Sequence, residues 1–194
     1  MSKPTDYATL ADRLSDTGAL VRRRLGSVLF DNFFRGLGKI SHLHPGLDAE
    51  RYGVEVLRDI PYWPSGHPEH LLDIYRPRGA EGPLPVVLYT HGGGFRILSK
   101  ETHHGMALQF ARQGYVVANI NYRLAPKHRY PSATADACRA YRWVVDNIAK
   151  FGGDPERLVV SGESAGGNLA AALTVAACYE RPAPFAREVW ETGI

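Results

Sequence analysis

Leu158-Val159-Val160-Ser161-Gly162-Glu163-Ser164-Ala165-Gly166-Gly167-Asn168 is the stretch whose reading decides the fold. Leu158, Val159 and Val160 read as a short buried strand, and a helix follows at once from Ser164 to about Cys178. Between them, Gly162 to Gly166 must turn sharply. Such a turn lifts one serine hydroxyl clear of the backbone, and Gly162 and Gly166 remove side chains that would collide. The new helix points its free N–H groups and positive dipole end at the same place. A Gly-x-Ser-x-Gly string arises by chance in about one chain in ten of this make-up, so its placement between strand and helix carries the weight. Gly167, Ala170 and Ala171 are small enough to let that helix lie close to a sheet.

The same rhythm extends upstream. Val86 to Tyr89 is a continuous apolar run, as a parallel strand buried on both faces requires. Residues 101 to 113 read as a helix ended by Gly114, and Tyr115 to Ile120 as the next buried strand. Ala137, Ala140, Tyr141, Val144 and Ile148 form one stripe on a helix that Gly152 terminates. Earlier still, Tyr52 to Arg58 and Leu71 to Tyr75 alternate apolar and polar residues, with Pro61, Pro64, Gly66 and Pro68 between them. These two segments predict an antiparallel start to the sheet. Alternating strands and helices then give an α/β fold, a mostly parallel sheet with helices on both faces. Residues 6 to 40 carry Leu10, Leu14, Val21, Leu25 and Val28 at helical spacing and predict a helix packed over the rest of the protein.

The totals fit one folded domain. The chain has 194 residues, 44% hydrophobic and 22% charged, with a formal net charge of +3. That charge is too small to imply a nucleic-acid partner. Arg22, Arg23 and Arg24 are the one tight basic run and read as a solvated helix face. Cys138 and Cys178 match no metal spacing and read as small buried hydrophobes. Met1 to Leu10 has no apolar core of the signal-peptide kind, and no apolar run is long enough to span a bilayer. A cytoplasmic location is the default expectation.

His91-Gly92-Gly93-Gly94-Phe95 follows directly after the strand at 86 to 90. Three successive glycines let backbone N–H groups turn toward one point, with nothing bulky to block an approaching oxygen. An oxyanion hole needs such fixed donors where negative charge develops. A phosphate-cradling loop uses the same physics, but the lysine and hydroxyl residue of a P-loop are missing here. His42-x-His44 and His67-x-x-His70 could suggest a metal, yet no cysteine or carboxylate cluster completes a site, so neither metal nor cofactor is expected.

Together these motifs resemble the hormone-sensitive-lipase-like family of α/β-hydrolase esterases. The likeness covers about residues 70 to 178. It includes Asp73-Ile74-Tyr75, the His91 to Phe95 loop, Tyr122-Arg123-Leu124-Ala125-Pro126, Gly152-Gly153-Asp154-Pro155, and Gly162 to Asn168. Lys127 stands where the family usually has glutamate, and Glu163 where aspartate is commoner. Glu163 keeps a carboxylate at the helix N-terminus, so little consequence is expected. The resemblance implies an α/β-hydrolase fold and a small acyl-ester substrate. Ser164 would be the nucleophile, the N–H groups of Gly93, Gly94 and Ala165 the oxyanion hole, and His91 with Gly92 would shape the loop. Residues 1–50 would be a helical cap segment and residues 51–194 a partial α/β-hydrolase domain.

A serine hydroxyl needs a base, and the base an orienting carboxylate. In this fold they follow the serine in the order acid, then histidine. The 30 residues after Ser164 (194 − 164) contain neither histidine nor aspartate, only Glu180, Glu188 and Glu191 as acids. His103 and His104 lie where they could approach the pocket from upstream. The expectation is therefore a truncated esterase lacking its acid and histidine, with the sheet incomplete on the C-terminal side. The alternatives are a ligand-binding homologue without turnover, as the family's plant gibberellin receptors are, or an inactive gene remnant. The strand at 157 to 161 would expose an apolar, unpaired edge that invites self-association.

Overall fold

The computed structural model describes residues 45–193. The helix expected over residues 6–40, the basic run at Arg22 to Arg24, and all but the end of the cap segment 1–50 lie outside the described residues. Two short 3-10 turns, Pro45–Leu47 and Glu50–Tyr52, lead into the sheet.

The antiparallel start is strand β1 (Val54–Pro61) against β2 (Leu71–Pro77), with Val56 opposite Tyr75 and Ile60 opposite Leu72. Strand β3 (Leu84–Thr90), helix α1 (His104–Arg112) and strand β4 (Val116–Ile120) form the first strand-helix-strand unit. Helix α2 (Ser132–Asn147), strand β5 (Gly153–Gly162) and helix α3 (Ala165–Cys178) continue the alternation. A last helix, α4 (Pro184–Trp190), carries proline in its first turn, where a missing N–H costs nothing. The strand order is β1-β2-β4-β3-β5. The sheet is mixed: β3 pairs in parallel with β4 and β5, while β2 pairs antiparallel with β1 and β4.

The pleat sorts each strand onto two cores. Val86 and Leu88 of β3, with Val116, Ala118 and Ile120 of β4, join residues of α2, α3 and α4, among them Val144, Leu169, Leu173 and Val189. Val87 and Tyr89, with Val117 and Tyr75, face the opposite way onto Ala107, Leu108 and Ala111 of α1. Side chains of a strand alternate between faces, so continuous apolar runs are what helices on both sides demand. Truncating fully buried Leu169 or Leu173 to alanine would cost about 2–5 kcal/mol.

Two sequence expectations need correction. Val159 is 51% exposed, because β5 is the terminal strand of the described sheet and its outward side meets no helix. Cys178, the last residue of α3, is exposed where Cys138 is buried. Burial pushes the Cys138 thiol up to about 12, so it stays protonated and inert. Among the described residues no helix is long and apolar enough to cross a membrane.

Candidate active site

Ser164 sits between the end of β5 and the first turn of α3 with φ 52° and ψ −115°. That conformation is rare for a residue with a side chain and is found where the surroundings enforce it. The enforcement is visible in the two flanking glycines. A Cβ on Gly166 would lie 2.0 Å from the Thr90 carbonyl oxygen, and one on Gly162 would lie 2.5 Å from it. The Thr90 hydroxyl donates to the Gly166 carbonyl at 2.8 Å, pinning the elbow to the end of β3. The sequence credits Gly167 with close helix–sheet approach, but Gly166 makes the tighter one.

The glycine loop leaves β3 beside this elbow. Gly93 has φ 107° and Gly94 has φ 59°, and a Cβ on Gly93 would lie 2.0 Å from the Ile97 carbonyl oxygen. Arg96 and Ile97 both donate their N–H to the Gly93 carbonyl, closing a tight turn. Within the described residues, the N–H groups of Gly93, Gly94 and Ala165 have no hydrogen-bond partner. His91 is fully buried and stacks on Tyr122 at 4.3 Å and 12°. The Tyr122 hydroxyl donates to the His91 carbonyl at 2.7 Å. His91 is thus part of the wall behind the loop.

The residue next to the serine has more partners than the sequence suggests. Glu163 Oε1 accepts from the Gly92 N–H at 3.1 Å and from His103 Nε2 at 2.5 Å, and Oε2 accepts from the Tyr89 hydroxyl. Burial alone would raise this carboxyl. Tyr89, His103 and the Gly92 amide reverse that and hold it below the usual glutamate value. The signal was available: an acid beside the serine, a histidine eight residues past the glycine loop, and Tyr89 on the α1 face of β3.

The two upstream histidines part company. His103 reaches the elbow through Glu163, which takes its Nε2. His104 is buried elsewhere, between the Tyr75 hydroxyl at 2.8 Å and the Leu47 carbonyl at 2.7 Å. Lys100, at the far end of the loop, is 1% exposed. Its ammonium donates to Asp59, Asp73 and Glu101 at 2.7–2.8 Å. Burial alone would lower its pKa, but Asp73, Asp59 and Glu101 raise it, so it remains charged. The sequence offered no signal for this lysine.

His67-x-x-His70 also acquires a role. Ser65 Oγ lies 2.5 Å from His70 Nδ1, and His70 Nε2 lies 3.1 Å from Asp136 Oδ1. Asp136 is fully buried and also accepts from Arg123 and Arg139. Among the described residues no group of three or more His, Cys, Asp or Glu could hold a metal ion.

A family model described as alpha/beta hydrolase fold matches residues 87–187. The chain belongs to the α/β-hydrolase family. Among its α/β-hydrolase relatives is carboxylesterase NlhH of Mycobacterium tuberculosis, 38% identical over 128 residues, which covers 66% of this chain and 37% of that protein. Esterase LipW of Mycobacterium marinum superposes with a TM-score of 0.65 at 32% identity, covering 80% of this chain and 48% of that one. A hyperthermophilic esterase from Pyrobaculum calidifontis gives 0.63 at 34% identity, covering 86% and 54%. The chain spans less than half the length of the curated α/β-hydrolases it matches.

Proposed function

We propose that this α/β-hydrolase chain carries the nucleophile and oxyanion loop of a serine carboxylic-ester hydrolase acting on small acyl esters. The observation that supports this best is Ser164 at φ 52° beside a glycine loop with unengaged N–H groups. Ser164 Oγ attacks the ester carbonyl carbon. The N–H groups of Gly93, Gly94 and Ala165 receive the oxyanion, and each such donor is worth about 3 kcal/mol. Collapse expels the alcohol, and water then releases the acyl group from Ser164.

The reaction also needs a histidine base held by a carboxylate. Among the described residues no histidine nitrogen is hydrogen-bonded to Ser164, and the 30 residues after it hold no histidine. For these 194 residues alone we expect slow acylation of Ser164 and little turnover. The test is reaction with a fluorophosphonate and with p-nitrophenyl acetate, followed by mass mapping of the modified peptide. Modification at Ser164 that disappears in Ser164→Ala supports the reading, and absence of any modification there overturns it. Pairing of the outer β5 edge with a second copy belongs to the same proposal, and sedimentation against concentration tests it. So does the cytoplasmic location, which cell fractionation tests.

A further inference from the structure

We infer that Glu163 and His103 are positioning residues that clamp the glycine loop to the nucleophile elbow, a reading that rests on the esterase proposal for its functional meaning. The elbow and the loop belong to different crossovers, one after β5 and one after β3. Backbone pairing holds β3 and β5 in register up to Thr90 and Gly162, and no farther. Beyond that point, the Gly166 backbone packs on Thr90 and His91, and the remaining placement of Ser164 relative to the Gly93 and Gly94 amides depends on side chains.

Glu163 supplies the join. Its carboxylate gathers one donor from the loop itself, the Gly92 N–H, one from β3, the Tyr89 hydroxyl, and one from the entry to α1, His103 Nε2. A carboxylate only accepts, so His103 carries its proton on Nε2 when it makes this bond. His103 is itself braced. Its Nδ1 lies 2.8 Å from Thr102 Oγ1 and 3.1 Å from the Ser99 carbonyl, and its ring stacks on His91 at 5.6 Å. The contact is also close in the backbone, since a Cβ on Gly92 would lie 3.1 Å from the Glu163 carbonyl oxygen. His103 therefore acts through Glu163 and not as a base on Ser164.

An oxyanion hole is effective only when its donors sit where the charge develops, and small displacements are costly. Glu163→Gln keeps the shape but removes the charge that strengthens all three bonds, and its amide nitrogen either forces the Tyr89 hydroxyl to accept or opposes the Gly92 and His103 donors. The experiment is amide hydrogen exchange in the full 194-residue chain, read at Gly92, whose N–H is the loop donor bonded to Glu163, with the rate of Ser164 phosphonylation measured in parallel. In Glu163→Gln, exchange at the loop should rise about tenfold or more while exchange in β3 and β4 stays unchanged, and phosphonylation should fall about tenfold. Glu163→Asp, which keeps the charge, should recover part of both. His103→Ala and Tyr89→Phe each remove one donor from outside the elbow and carry the same test if Glu163→Gln does not fold. Loop exchange that stays at the wild-type rate in all of these variants overturns the inference. If the wild-type chain is never phosphonylated at Ser164, the esterase reading fails, and the exchange data still decide the clamp.

Discussion

Two serines in this molecule differ in everything except residue type. Ser65 has hydrogen-bonded neighbours in the order serine, histidine, aspartate, with His70 and Asp136 in line. Yet it lies on an exposed turn between β1 and β2. Its aspartate is occupied by Arg123, which binds it through both carboxylate oxygens, and by Arg139. Ser164 has no such relay among the described residues, but it has the strained elbow, the helix start and the unengaged amides. A triad is recognised by geometry and roles, so the list of residue types around Ser65 describes a structural network and not a nucleophile. What marks a reacting serine is the backbone that presents it.

The sharpest way to break this contrast is to exchange the two serines for alanine. Ser164→Ala should abolish fluorophosphonate labelling of the chain, whereas Ser65→Ala should leave the labelling rate within about twofold and stability within about 0.5 kcal/mol. Label mapped to Ser65 would reverse the assignment. Next in size is Asp136→Ala, which strands half-buried Arg123 and buried His70 without their partner. It should lose about 3–5 kcal/mol in denaturant unfolding, while folded molecules still label at Ser164. On the other side, Gly166→Ala would drive a methyl group into the Thr90 carbonyl, 2.0 Å away. Overpacking of this kind costs about 1–3 kcal/mol or more, and here it should slow labelling as well as lower the melting temperature.

The smallest effect is a pH dependence confined to the Ser65 side. Burial lowers the His70 pKa below 6.5, and the charge of Asp136 only partly offsets it. The folded state thus prefers the neutral ring. Below pH 6.5 the unfolded chain takes up the proton first, so the His70 contribution to stability is present above 6.5 and falls away as the pH drops toward the folded value. Melting temperatures measured from pH 7.5 to 5 should show that decline, and His70→Gln should flatten it. A wild-type curve as flat as the variant's would remove His70 from the network's energetics.

Much of the architecture was legible because it rests on local chemistry. Val86 to Tyr89 and Val116 to Ile120 had to be strands buried on both faces. Gly114 and Gly152 had to end the preceding segments, and both adopt positive φ. Judgements of burial that needed a neighbour were less secure. Val159 looks as apolar as Val160, and its exposure goes with the edge position expected for residues 157 to 161 and not with the buried strand its own composition suggested. Cys138 and Cys178 have similar sequence surroundings and opposite burial. Lys100, 27 residues from Asp73, carries no mark of the carboxylates that surround it.

The sequence alone determined the alternation of strands and helices, the turn at Gly162 to Gly166 and the glycine loop. These depend on φ freedom, periodicity and side-chain volume, which are properties of consecutive residues. The tertiary structure alone decided which amides stay unengaged, which histidine meets Glu163, and which serine has a relay but no elbow. Those depend on groups brought together from distant segments at hydrogen-bond range, and no spacing along the chain specifies such distances.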